Sequence, residues 1–343
     1  MKRTKAEQPT EALNRRIKEN KAKKEAKELK ARESVAVDRI EKLEKELEAA
    51  LAVQKQVKAF TITPKPQSKG GEATAIAVAS DWHVEETVRS DEVNGMNEYN
   101  LDISKKRASQ FFERALHLTN LEAKNTPINT LVLALLGDFI TGNIHDENME
   151  TCSLRPIDAA LKAKSYIKSG IEFLLENSDL NLVVVCNSGN HARITKKIRN
   201  ATEEGNSLET FVYYALAQEY EENPRVKFLI TPSYHNYLQV YDMVLRFHHG
   251  HSIRYMGGVG GITIPVNKKI NEWNKTKWAD LDVFGHFHTF FDGSNFVANG
   301  SLIGFNAYAL RTGCSFEKPK QAFFVINRRW KEKILVRPIL FED

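Results

Sequence analysis

Cysteine is scarce in this chain: Cys152, Cys186 and Cys314 are the only three in 343 residues. An odd, scattered set with no paired spacing argues against a disulfide framework and fits a reducing cytoplasm. Cys186 lies inside the apolar run "LVVVC" and reads as core. Long apolar runs are missing too. The most apolar stretch, "LVLALL" at 131–136, falls far short of the roughly 20 residues that a membrane span needs. The N-terminal "MKRTKAEQPTEALNRR" is basic but has no apolar segment, so it does not read as a secretory signal. "GGVGG" at 257–261 lacks the Gly-Lys-Ser/Thr of a phosphate-binding P-loop and reads as a loop that opens a helix near 265–274. A strong overall charge is absent as well. The net charge is +5, and residues 1–60 alone hold 17 Lys/Arg against 11 Asp/Glu, which leaves the remainder close to neutral. The basic character belongs to an arm, not to the whole molecule.

That arm has no glycine from Ala6 to Lys58, and Pro9 is its one proline there. It is rich in Ala, Glu, Lys and Leu, the strongest helix formers. Ala36, Ile40, Leu43, Leu47 and Ala50 step by alternating four and three, with Val57 in the same register. This spacing predicts a coiled-coil seam of about three heptads. The first half of the arm has no seam and reads as a solvated helix. Residues 1–60 are therefore expected to be a charged helical arm able to self-associate or to meet a protein or nucleic-acid partner. "TITPKPQSKGGEAT" (61–74), with two prolines and two glycines, reads as a linker, leaving 75–343 as the main domain.

Within that domain, apolar strand-like runs at 75–80, 129–136 and 181–187 alternate with helix-like segments near 101–123, 156–177 and 206–221. The alternation predicts an α/β sheet with crossover helices. After about residue 226 the runs become short and read mostly as hairpin-connected strands.

Polar clusters close these strands. "AIAVASDWHVEE" (75–86) ends its apolar run at Asp81-Trp82-His83; in near-extended backbone the two flanking side chains would point to one side and could meet one cation. "TLVLALLGDFITGN" ends at Gly137-Asp138, and "LVVVCNSGNHARI" at Gly189-Asn190-His191. "VLRFHHGHS" adds His248, His249 and His251, and "LDVFGHFHTF" adds His286 and His288. Ligands of parallel α/β sheets bind at the carboxyl ends of strands, and seven of the ten histidines gather at such ends. Carboxylates, imidazoles and an Asn carbonyl without thiolate describe a mixed N/O site for Mn, Fe or Zn. Seven ligands exceed one tetrahedral ion, so two divalent ions sharing a carboxylate are expected, Mn²⁺ first among them. Such a pair suits phosphoryl displacement.

In this order, Asp-x-His, Gly-Asp, Gly-Asn-His, His-Gly and Gly-His-x-His resemble the calcineurin-like metallophosphoesterase superfamily, and "VANGSLIG" (297–304) resembles its Asn-x-Gly-Ser strand turn. The likeness covers roughly residues 75–330. It implies a four-layer αββα sandwich with a dinuclear centre, here preceded by the charged helical arm. It further implies that Asp81, His83, Asp138 and His288 hold one ion. Asp138 would bridge to a second ion completed by Asn190, His249 and His286. His191 would contact the phosphate or protonate the leaving oxygen.

Two departures bear on substrate. The acidic residue usual after Gly-Asn-His is replaced by "ARITKKIR", so Arg193, Lys196, Lys197 and Arg199 are either phosphate contacts or a solvated helix face. "GDFITGN" lacks the Asp-Arg-Gly continuation of the serine/threonine phosphatases. The basic run, the cations of "NKKINEWNKTKW" (267–278) and the basic arm favour a DNA nuclease resembling the SbcD-type exonucleases and related phage enzymes. A phosphomonoesterase or phosphoprotein phosphatase is the second reading, and an assembly factor acting through its arm the third. His251 is a candidate substrate contact or support for the ligands, and His145 a candidate substrate-side histidine.

Overall fold

The computed structural model describes Lys27, Lys30 and residues 60–63, 71–255 and 261–342. Contacts divide the chain into two units, Met1–Val53 and Gln54–Asp343. Of the first, Lys27 and Lys30 are helical and exposed; the expected seam at 36–57 lies outside the described residues.

The second unit is built on two six-stranded sheets. In the first, β2 (Ala73–Ala79), β3 (Ile128–Leu135), β4 (Asn181–Cys186) and β5 (Val226–Ile230) run parallel, joined by α1 (Leu101–Ala123), α2 (Pro156–Glu176) and α3 (Leu208–Glu219). The hairpin of β11 (Lys320–Asn327) and β12 (Glu332–Leu340) extends this sheet, β11 lying antiparallel to β2. The second sheet is ordered β1 (Thr61–Ile62), β6 (Asn236–Val240), β7 (Met243–Phe247), β8 (Leu281–Phe284), β10 (Phe296–Ala298), β9 (Phe291–Asp292).

Period-two alternation along the strands makes the layers. Ala75, Ala77 and Ala79 of β2, with Leu131, Leu133 and Leu135 of β3, face the helices; small alanines let the helices approach the sheet. Ile76, Val78, Val132, Ala134, Val183 and Val185 face the other way and pack on Leu238, Val240, Leu245, Phe247, Leu281 and Val283 of the second sheet. The outer side of that sheet, through Phe284 and Phe296, is covered by Val266 and Ile270 of α4 (Thr263–Asn274). Helices, sheet, sheet and helix form the expected four-layer sandwich.

Three expectations need correction. The segment 61–74 is not all linker, because Thr61 and Ile62 pair in parallel with Gln239 and Val240, and Ala73 already belongs to β2. Ile62 is buried between the sheets and Phe60 packs beside it; two residues are too few to show a strand period. The later strands form three hairpins, β6–β7, β9–β10 and β11–β12, but not every connection is one. β5 joins the first sheet in parallel, and β7, β8 and β10 are mutually parallel, with α4 connecting β7 to β8. Finally, of the two readings of residues 193–199, the solvated helix face does not hold, because the segment is irregular.

Candidate metal centre

The turn after β2 shows how local sequence makes the site. Trp82 is fully buried among Phe111, Phe112 and Phe139, its carbonyl accepting from Tyr99 Oη at 2.6 Å. With Trp82 anchored on the helix side, Asp81 and His83 turn the opposite way. Their backbone is not extended, as the sequence suggested, but left-handed, with φ of 56° and 49°. Asp138 (53°), His286 (72°) and His288 (51°) share this conformation. Left-handed backbone costs a non-glycine residue roughly 1–3 kcal/mol and collects at functional sites. The turn is held by Asp81 N–H to the Gly137 carbonyl (2.9 Å), His83 N–H to the Asp138 carbonyl (3.1 Å) and Leu302 N–H to the Asp81 carbonyl (3.0 Å).

Glycines in the motifs permit close approach. A Cβ on Gly189 would lie 2.1 Å from Asp138 Oδ1, and one on Gly285 would lie 2.4 Å from Asp81 Oδ2.

Two groups of side chains result, each with its ligand atoms within 4.8 Å of one another: Asp81, His83 and His288, and Asp138, His249 and His286. Each group draws on both sheets. Asp81, His83 and Asp138 follow β2 and β3; His249, His286 and His288 follow β7 and β8. His288 Nε2 lies 3.4 Å from Asp81 Oδ1, and His249 Nε2 lies 2.9 Å from Asp138 Oδ2.

Three buried atoms carry the test of whether cations fit. His83 Nε2 and Asn190 Oδ1 have no hydrogen-bond partner, and His249 Nε2 meets only Asp138 Oδ2, at 2.9 Å. Orphaned buried polar atoms are costly, and these three are ligand atoms in the arrangement the motifs imply. Their tautomers are set by what the other nitrogen touches. Thr141 Oγ1–H donates to Glu86 Oε2 (3.0 Å), so Thr141 Oγ1 accepts from His83 Nδ1–H at 3.0 Å and the lone pair of His83 sits on Nε2. His249 Nδ1–H donates to the Leu136 carbonyl at 2.7 Å, which leaves Nε2, turned to Asp138, as the nitrogen a cation would take. The donor set fits two divalent ions.

Electrostatics agree. Burial opposes ionisation of Asp138, but the His249 and His191 imidazoles overcome it and hold its carboxyl well below the usual range. Burial likewise opposes a charged His249, yet Asp138 raises it to about 10. Burial pushes His83 and His286 well below the ordinary imidazole value, which keeps them neutral and able to coordinate. The proton drawn to His249 marks a place where a cation would displace it.

His191 stands apart from the two groups. Its backbone N–H donates to Asp138 Oδ1 (2.8 Å), its Nδ1 lies 3.0 Å from the Thr141 carbonyl, and its ring is edge-on to His83 at 4.9 Å. His251 is paired with Glu203 Oε1 at 3.0 Å and its side chain is nearly buried, so the structure makes it a brace between loops. The Arg193 guanidinium turns back onto the Asn190 carbonyl at 2.5 Å. Lys196, Lys197 and Arg199 are exposed, and no ion pair of theirs occurs among the described residues. His145 is exposed, its ring 6.5 Å from that of His191.

Several supporting residues had no signal in the sequence. Glu209 of α3 accepts from the N–H groups of Phe139 (2.6 Å) and Gly189 (2.8 Å), tying the second motif to the third; burial, then the Asp138 charge, raise it to about 8. Asn299, whose "VANGSLIG" turn the sequence did single out, donates to Ser80 Oγ (2.8 Å), which donates to Asp81 Oδ2 (2.5 Å). Gln321 Oε1 accepts from Ser80 N–H (2.9 Å) and Trp82 Nε1–H (3.2 Å).

No family model and no curated protein matches the sequence. Among solved structures, a conserved protein of Streptococcus pneumoniae described as a predicted phosphoesterase is 12% identical, covering 78% of this chain and 97% of its own, with a TM-score of 0.29. A hypothetical protein of Pyrococcus horikoshii is 12% identical over 79% and 89% of the two chains, with a TM-score of 0.39. The calcineurin-like phosphoesterase YfkN of Bacillus subtilis is 11% identical over 78% and 91%, with a TM-score of 0.26. At such scores the weight rests on the chain's own motifs and geometry.

Proposed function

We infer that this chain, which has the fold and the ordered motifs of the calcineurin-like metallophosphoesterases, is a phosphoesterase with a dinuclear metal centre whose substrate is a DNA phosphodiester. The single observation supporting the chemistry is the convergence of two buried groups, Asp81, His83 and His288 and Asp138, His249 and His286, with His83 Nε2 and Asn190 Oδ1 left unpartnered among them. Asp81, His83, His288 and Asp138 would hold one ion, and Asp138, Asn190, His249 and His286 the other. Manganese suits this mixed N/O, thiolate-free set. When bound, the ions supply Lewis acidity toward phosphoryl oxygens and an acidified water.

The chain's own groups do the rest. Asp138, pinned by the His191 N–H, keeps its carboxylate ionised between the two groups. His191 has its Nδ1 engaged by the Thr141 carbonyl. Its Nε2 is then the nitrogen that faces substrate, and in the imidazolium form it can donate to a phosphate oxygen or to the leaving oxygen. DNA is favoured over a phosphomonoester by Lys196, Lys197 and Arg199, exposed five to eight residues beyond His191 and without a carboxylate partner among the described residues.

The test uses purified full-length protein on bis-p-nitrophenyl phosphate, p-nitrophenyl phosphate and single- and double-stranded DNA, after EDTA and after adding Mn²⁺. Activity is expected to vanish on chelation and return with Mn²⁺, with diesters preferred. Full turnover in EDTA after exhaustive dialysis would refute the metal centre. Hydrolysis of the monoester alone would replace the DNA reading with a phosphatase.

A further inference from the structure

Thr141 joins two rims of the site. Its carbonyl meets His191, at the head of the basic loop 193–199, and its hydroxyl reaches Glu86. Glu86 Oε1 in turn accepts from Asn306 Nδ2 at 3.0 Å. Asn306 caps the helix α5 (Ala307–Thr312), its Oδ1 accepting from Ala309 N–H at 3.0 Å. The short helix is held at its root. Asn97 Nδ2 donates to the carbonyls of Ile303 and Phe305, both at 2.8 Å, and the Phe305 ring meets Phe316 at 5.6 Å. A rigid projection thus stands beside His83.

What it projects is an open aromatic side chain. Tyr308 is 74% exposed, the most open large apolar side chain among the described residues, and no ring contact of Tyr308 occurs among them. Arg311, three residues on and therefore on the same helix face, is exposed too, without an ion pair among the described residues. An open aromatic face beside a cation is the arrangement that receives an unpaired base and its phosphate. Duplex DNA keeps its bases stacked on one another and cannot offer one.

We propose that Tyr308 is a stacking platform for an unpaired base next to the scissile linkage, with Arg311 on the adjoining phosphate, so that the protein selects single-stranded DNA or frayed ends. This rests on the DNA phosphodiesterase reading above. A single strand would run from the loop 193–199, past Thr141, to α5.

The experiment compares wild-type full chain with Tyr308→Ala, Tyr308→Phe and Arg311→Ala. Fluorescence anisotropy in EDTA reads binding of a labelled oligodeoxythymidylate and of a duplex of equal length; circular dichroism melting checks the fold. Tyr308→Ala should weaken single-strand binding on the order of tenfold, with Tyr308→Phe restoring it and duplex binding shifting far less. Arg311→Ala should flatten the single-strand salt slope by about 0.7. Equal losses on both DNAs, or a Phe variant as weak as the Ala variant, would overturn the platform. If wild type cleaves DNA with Mn²⁺ and Tyr308→Ala binds and cleaves as well, the platform falls alone. If wild type hydrolyses bis-p-nitrophenyl phosphate but neither binds nor cleaves DNA, the DNA reading falls and takes the platform with it.

Discussion

Asp138 and His191 touch each other yet do different work, and substitution should separate them. Asp138→Ala removes the carboxylate proposed to bridge the two ions, so both metal content and turnover are expected to collapse. His191 holds Asp138 through its backbone N–H, which alanine keeps. His191→Ala should therefore retain two metals while losing turnover by about 10²–10⁴-fold, the range of a general acid. Metal analysis of the two variants decides it; a His191→Ala protein short of one ion would contradict the role. The ligand-type residues were legible because Asp, His and Asn sit where apolar runs stop, beside glycines. Their supports were not. Thr141, Glu86, Glu209 and Ser80 are ordinary residue types whose partners lie from one to 220 positions away, and only the fold brings most of them together. Even the Asp-x-His reading reached the right neighbours through the wrong backbone, since left-handed φ at Asp81 and His83 leaves no mark on the residue pattern.

At the scale of elements, the crossover helices and the first three strands follow from long runs with clear periods, and the structure places α1 at 101–123, where the pattern put it. Short strands failed for the opposite reason. β1 and β9 have two residues each; β1 is held by Ile62 packing between the sheets, and β9, exposed, by pairing with β10 across a short turn. In the loop 193–199 the helix-face alternative fell away. Arg193 bridges to Ser207 in antiparallel fashion, and Ile194 N–H donates to the Asn206 carbonyl at 2.9 Å, so this segment is pinned as a loop with its cations outward. If it tracks DNA, each phosphate contact contributes about −0.7 to −0.9 to the slope of log affinity against log salt. Replacing Lys196 and Lys197 with Ala should flatten that slope by roughly one to two units and weaken binding of all sequences alike. A salt titration by anisotropy measures this; an unchanged slope would remove the loop from the binding surface.

For the whole molecule, the arm remains a matter of sequence pattern. Its seam at 36–57 is expected to drive self-association or binding of a helical partner. A chain beginning at Lys58 keeps Phe60 and β1 in the inter-sheet layer, and should be monomeric and active where the full chain is larger. Sedimentation giving one mass per particle for both would exclude self-association. The four-layer body has another property, rooted in the way each ligand group takes side chains from both sheets. An ion seated in either group is a rivet through two plates. Without it, this end of the sandwich is fastened by the apolar layer and by a few hydrogen bonds, such as His286 N–H to Asp81 and His249 Nδ1–H to the Leu136 carbonyl. The catalytic ions would then also be part of the building's joinery, and their loss would loosen the seam between the halves as well as stop the reaction.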